Sequence, residues 1–105
     1  MTNEQRAEGL EKVGLLQAVV DGDTYRIPGK NWVHDADGMM AEGDLLLYLL
    51  RELPKLGFEV EMFNRIGFGF WTVLLKKPEV FWLGKNDDSL LALVDAVIAA
   101  NGADE

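Results

Sequence analysis

The chain has 105 residues, of which 49% are hydrophobic and 27% charged, and this composition predicts one compact globular domain over residues 1–105. Cysteine is absent from the sequence, which excludes disulfides, thiolate catalysis and Cys-ligated metal centres. The net charge of −8 disfavours direct binding to nucleic acid or to an anionic membrane surface. The start MTNEQRAEGLEK is unlike a secretory signal, and no apolar run approaches the ~20 residues of a membrane helix. We therefore expect a cytoplasmic protein that needs no cofactor.

The N-terminal segment carries the signals of a helix start. Thr2-Asn3-Glu4-Gln5 has the form of a capping box, in which the Thr hydroxyl accepts from a backbone amide and the Gln side chain reaches back. Ala7, Leu10 and Val13 follow at helical spacing. These features predict a first helix that begins at about Asn3.

Two interpretations remain open for residues 15–28. The apolar stripe could continue as helix to Asp21, or Asp21-Gly22 could turn a hairpin that joins residues 15–20 to 23–28. In the hairpin, Ala18 faces Tyr25 on the apolar side. The β-branched residues of this segment favour the hairpin.

The segment 28–43, PGKNWVHDADGMMAEG, is rich in turn-forming residues and is predicted to be an irregular loop. It contains the only histidine of the chain, His34, next to Asp35 and close to Asp37. A carboxylate that orients an imidazole serves general-base catalysis or metal binding, so a hydrolase or metal-binding protein centred on residues 34–37 is one functional alternative. The adjacent Asp-x-Asp-Gly pattern lacks the first and last ligands of a calcium loop, and we expect no dedicated metal site.

The segment after residue 43 is predicted to contain a helix, three strands and a helix. Asp44 is the expected N-cap of the leucine-rich helix, which Pro54 and Gly57 end. Alternating or β-rich runs predict antiparallel strands over 58–62, 70–75 and 80–83.

The C-terminal helix is expected to be capped by Asp87 or Asp88 after Gly84 closes the third strand, and to stop at Gly102. Residues 103–105 are expected to form a frayed tail.

These elements predict an α+β fold, in which an antiparallel sheet of three to five strands packs with two or three helices as helix–sheet–helix layers. In such a sheet the neighbours Phe81 and Trp82 point to opposite faces. We favour the interpretation that helices cover both faces and absorb the aromatic residues. If one face is open, its apolar residues mark an interface. The candidate interaction surface then comprises Glu59, Glu61, Phe63, Phe68, Trp71, Trp82, Asp87 and Asp88.

The order of these elements resembles the small ABA-sandwich domain proteins of bacteriophages. The resemblance covers Asp44–Met62, with its Gly57-Phe58-Glu59-Val60, and Trp71–Ala100, which begins Trp71-Thr72-Val73. It implies a helix–sheet–helix fold and a phage or prophage origin, and it implies no catalytic residues.

Few reactive groups are present, since the chain has one histidine, one serine and no cysteine. The leading hypothesis is a small acidic, non-enzymatic phage or mobile-element protein that binds a protein partner with a basic surface. A specific version is an inhibitor of a nucleic-acid-binding host defence protein. The second hypothesis is a homodimer or other homo-oligomeric accessory protein.

Overall fold

The computed structural model describes residues 1–19, 23–64 and 69–102. The described part contains four α-helices, one 3-10 helix and two three-stranded antiparallel sheets, which confirms the predicted α+β class. In chain order the elements are α1 (Asn3–Lys12), β1 (Gln17–Ala18), β2 (Thr24–Arg26), β3 (His34–Asp35), α2 (Ala36–Met40), α3 (Gly43–Glu52), the 3-10 helix (Pro54–Leu56), β4 (Glu59–Asn64), β5 (Trp71–Lys77), β6 (Val80–Asn86) and α4 (Ser89–Gly102). None of these helices combines the length and the apolar character that crossing a bilayer requires.

The predicted capping box begins α1. The Gln5 amide donates to the Thr2 hydroxyl at 3.1 Å, and the Thr2 amide donates to the Gln5 side chain at 2.8 Å. Gly14 ends the following turn at a φ of 80°, a conformation that glycine adopts without steric strain.

The described residues of the 15–28 segment form two paired strands, as the hairpin interpretation predicts, and no helical extension. Ala18 pairs with Tyr25 and Gln17 with Arg26 in an antiparallel register, as predicted. The Arg26 side chain also donates to the Gln17 amide oxygen at 3.1 Å. The proposed turn at 21–22 lies outside the described residues. The small sheet has the strand order β1–β2–β3.

The prediction of an irregular loop over 28–43 is wrong for its second half. His34–Asp35 pairs with β2 as β3, and Ala36–Met40 forms α2. The Asp35 carboxylate accepts from the Gly38 amide at 2.7 Å and so caps this short helix. Met39 and Met40 are buried, which ties the segment to the core.

Helix α3 begins two residues earlier than predicted, and its N-cap is Glu42 rather than Asp44. The Glu42 carboxylate accepts from the Asp44 amide at 3.2 Å, so Asp44 lies in the first turn. The 3-10 helix and Gly57, at a φ of 92°, end this region as expected from Pro54 and Gly57.

The larger sheet has the order β4–β5–β6, and its strands extend beyond the predicted limits. Strand β6 continues through Gly84 to Asn86, so Gly84 does not close it. A Cβ atom at Gly84 would overlap the carbonyl oxygen of Ala92 and would lie 2.7 Å from the backbone nitrogen of Ala96. The glycine therefore lets α4 cross β6 at backbone contact.

Helix α4 packs across β5 and β6 on one face of the sheet, here called the inner face. The Asp88 carboxylate caps the helix by accepting from the Leu90 amide at 2.8 Å. The predicted apolar stripe of α4 is buried, and it comprises Leu90, Leu93, Val94 and Val97. Helix α1 packs on α2 and α4, and α2 also contacts β2 of the smaller sheet.

An ion pair joins the first and last helices. Arg6 Nε lies 2.7 Å from Asp95 Oδ1 and a second guanidinium nitrogen lies 3.3 Å from Asp95 Oδ2. The remaining nitrogen donates to the Asn3 side chain at 2.9 Å. Arg6 is only 8% exposed, so this contact replaces water for both charges.

Candidate functional site

The face of the larger sheet opposite α4 carries a regular grid of side chains, here called the outer face. The strand register places three rows across β4, β5 and β6. The rows are Glu59–Lys76–Phe81, then Glu61–Leu74–Leu83, then Phe63–Thr72–Lys85. Because side chains alternate along a strand, Val73 and Leu75 point to the inner face, where both are buried.

The outer face is accessible and partly apolar. Phe81 is 61% exposed, Leu83 47% and Phe63 45%. The expectation that helices cover both faces of the sheet is therefore wrong for this sheet. The residues of β6 explain the asymmetry, since the inner face carries Gly84, where α4 can approach, and the outer face carries bulky side chains.

The charges of the outer face balance. Lys76 Nζ lies 2.9 Å from Glu61 Oε1 and 4.0 Å from Glu59 Oε2. The hydrogen bond and the charge of Glu61 raise the pKa of Lys76 above its ordinary value. Lys85 is exposed and forms no ion pair with any residue in the described ranges. Two carboxylates and two ammonium groups thus surround an apolar centre at Leu74.

The predicted interaction residues divide between the two faces. Glu59, Glu61 and Phe63 lie on the outer face. Trp71 and Trp82 lie on the inner face and are half-buried against the core. Asp87 and Asp88 do not belong to the outer face, since they directly precede α4. Phe68 lies outside the described residues.

Sequence reasoning missed six residues of the outer face, which are Thr72, Leu74, Lys76, Phe81, Leu83 and Lys85. The prediction put Trp82 rather than Phe81 on the open face, because either neighbour could point inward. The position of Gly84 in the sequence indicates which of the two points inward. A glycine two residues after Trp82 shares its face, and a close helix crossing requires glycine there.

In the 34–37 segment, the histidine and the two aspartates each contact a different partner. His34 Nε2 lies 3.2 Å from Glu42 Oε2, and the His34 ring contacts Trp32 at 4.9 Å between centroids. Asp35 caps α2, and the Asp37 carboxylate accepts from Asn3 at 2.8 Å. The carboxylates near His34 therefore have structural partners. No cluster of three potential metal ligands occurs within residues 1–19, 23–64 and 69–102.

A groove of about 510 Å³ opens on the inner side near the β5–β6 turn. Its walls include Phe58 and Trp82, whose rings meet edge to face at 5.9 Å between centroids. The Lys77 ammonium lies 4.5 Å from the centre of the Phe58 ring. The groove offers apolar volume but no paired acid and base, so it provides no catalytic arrangement.

Acidic side chains surround Tyr25 on the side of α1. Burial raises the pKa of Tyr25 above its ordinary value of 10.0, and the charges of Glu8, Glu11, Asp23 and Glu4 raise it further. The negative charges of Glu4, Glu8 and Glu11 on α1 thus act on the same side chain, which lies outside the outer face.

This shift predicts a loss of stability in alkali. The unfolded chain releases the Tyr25 proton near pH 10 and the folded chain only at higher pH, so the free energy of unfolding falls as the pH rises through this interval. We expect the free energy of unfolding to fall less in Tyr25→Phe than in the wild type between neutral and strongly alkaline pH. Urea unfolding of both proteins at each pH measures this fall. Equal losses in both proteins would contradict the assignment. Tyr48→Phe is measured in the same way for comparison, since burial also raises the pKa of Tyr48 on α3.

Comparison with known proteins adds no family. No protein-family model, no curated protein and no solved structure matches this chain. The resemblance to phage ABA-sandwich proteins stays a prediction.

Proposed function

We propose that this chain is a non-enzymatic protein-binding domain that associates through the outer face of its larger sheet. The observation that carries the proposal is the exposure of Phe63, Phe81 and Leu83 on one face around Leu74. Such contiguous apolar residues rimmed by charges are typical of protein interfaces. The phage origin implied by the sequence resemblance belongs to this proposal as its biological setting.

A second candidate concerns the acidic residues whose charges act on Tyr25, here called the acidic side. These residues are Glu4, Glu8, Glu11 and Asp23, and their carboxylates favour a partner with a basic surface. Inhibition of a nucleic-acid-binding defence protein is the specific form of this candidate. It uses a different surface from the outer face, so the two proposals can be tested separately.

Substitution of Phe81 tests the use of the outer face. We expect Phe81→Glu to reduce association with partner protein at least tenfold, because it places a charge in the apolar part of the interface. Stability should change by less than about 0.5 kcal/mol, because the side chain is mainly exposed. Tagged wild-type protein and the tagged variant serve as baits in an extract of the source cells. Untagged copies of the chain are added to the extract, and the amount of each captured protein is measured.

Leu47→Glu is the matched control, since Leu47 is 60% exposed on α3 and lies off the sheet. Equal loss of capture in both variants, or no loss in either, would overturn the proposal. The same capture at low and high salt tests the second candidate, since docking of a basic partner on the acidic side weakens steeply with salt. Retention that does not change with salt would rule that candidate out.

A further inference from the structure

We infer that the occupant of the outer face is a second copy of this chain, docked face to face about a two-fold axis that runs along the Phe63–Leu74–Phe81 diagonal. The inference rests on the proposed function and names its partner. It follows from the positions of charges within the three-by-three grid of the outer face.

The corners of the grid form two unlike pairs. Glu59 and Lys85 occupy one pair of opposite corners, and Phe63 and Phe81 occupy the other, with Leu74 at the centre. The Glu59 side chain is 82% exposed and touches Lys76 only at 4.0 Å. Lys85 has no ion-pair partner in the described part of the chain. Each copy therefore offers one weakly paired carboxylate and one unpaired ammonium group.

Charge excludes three of the four simple axes over this grid. An axis along the strands places Lys76 over Lys76 of the second copy, and an axis across the strands places Glu61 over Glu61. An axis through Glu59 and Lys85 places each of these over its own copy. Like charges in direct opposition are unfavourable in an interface, so these arrangements are disfavoured.

The remaining diagonal brings the two corner charges opposite each other and aligns three apolar residues, while Lys76 faces Leu83 and Glu61 faces Thr72 of the second copy. Phe63, Leu74 and Phe81 each meet their own copies along the axis, and Glu59 approaches Lys85 of the second copy on both sides. The long Glu and Lys side chains span the offset between these corners. The strands of the two sheets cross steeply, as in orthogonal sheet packing. The result is an isologous interface, in which both copies use the same surface.

The size of the face sets the expected affinity. Three strands about 4.8 Å apart and about six residues at 3.4 Å each give a flat area of roughly 300 Å² per copy. Two copies would bury about 600 Å² in total, which is below the size of standard specific interfaces and typical of weak, transient association. We therefore expect a dissociation constant of about 10–100 μM.

The inference is tested with two charge-reversal variants, measured singly and as a mixture. Sedimentation equilibrium from ~5 to ~500 μM protein gives the dissociation constant, since this range brackets the expected value. Glu59→Lys and Lys85→Glu should each raise the dissociation constant at least tenfold. An equimolar mixture of the two variants should associate as the wild type does, because both corner contacts of the mixed dimer join opposite charges. Glu8→Lys and Lys12→Glu on α1 make the same charge changes off the face and should leave association unchanged. Circular dichroism verifies that every variant folds.

A wild type that stays monomeric throughout, single variants that dimerise normally, or a mixture that stays monomeric would each overturn the inference. If the wild type is monomeric but Phe81→Glu still abolishes capture of a different protein, the proposed function stands without the dimer. If the wild type does not self-associate and Phe81→Glu does not change capture, both the proposed function and the dimer are ruled out.

Discussion

Gly84→Ala is expected to lower the free energy of unfolding by at least about 3 kcal/mol. The added Cβ would meet two backbone atoms of α4, the Ala92 oxygen and the Ala96 nitrogen, and neither can rotate away. Only a shift of the whole helix relieves the overlap, and that shift opens the packing of α4 on β5 and β6. Since a domain of this size has a total stability of about 5–15 kcal/mol, this is a large fraction.

Two other glycines make a graded control series for this measurement in urea. Gly43 has no atom within 4 Å of an added Cβ, so Gly43→Ala should leave stability unchanged or raise it by up to about 1 kcal/mol. Gly9→Ala places Cβ 2.9 Å from the Ile98 side chain, which can move, so an intermediate loss is expected. A Gly84→Ala protein that unfolds at the wild-type urea concentration would show that α4 does not cross β6 at backbone contact.

Arg6→Ala is expected to lower the free energy of unfolding by about 3 kcal/mol, because it leaves the Asp95 carboxylate without its bidentate partner in a poorly hydrated position. Arg6→Lys should recover part of this loss, since an ammonium group keeps the charge but cannot reproduce the two parallel contacts. Urea unfolding of both variants measures the difference.

The double variant Arg6→Ala with Asp95→Ala should be less destabilised than the sum of the single changes, which isolates the coupling between the two groups. Lys30→Ala is the matched control on the surface. The Lys30–Asp44 pair is 3.8 Å long and about half exposed on both sides, so its loss should be below about 1 kcal/mol. Similar losses for Arg6→Ala and Lys30→Ala would contradict a buried clamp between α1 and α4.

Local sequence signals predicted the elements well where one short-range interaction dominates. The capping box at Thr2, the hairpin register of Ala18 with Tyr25 and the glycine stop at Gly57 all depend on residues a few positions apart. Element ends were less accurate where two residues compete for one role. Glu42 caps α3 in place of Asp44, and its carboxylate accepts from the Asp44 amide in the first turn.

The sequence by itself determined that the chain is acidic, lacks reactive thiols and builds an antiparallel α+β fold around alternating strands. Only the tertiary structure decided which face of the larger sheet is covered, because neighbouring aromatic residues such as Phe81 and Trp82 satisfy either orientation locally. The choice follows from where α4 can approach the sheet, at Gly84, and this is a contact between distant elements. The Arg6–Asp95 pair is likewise decided by tertiary structure, since its members are 89 residues apart.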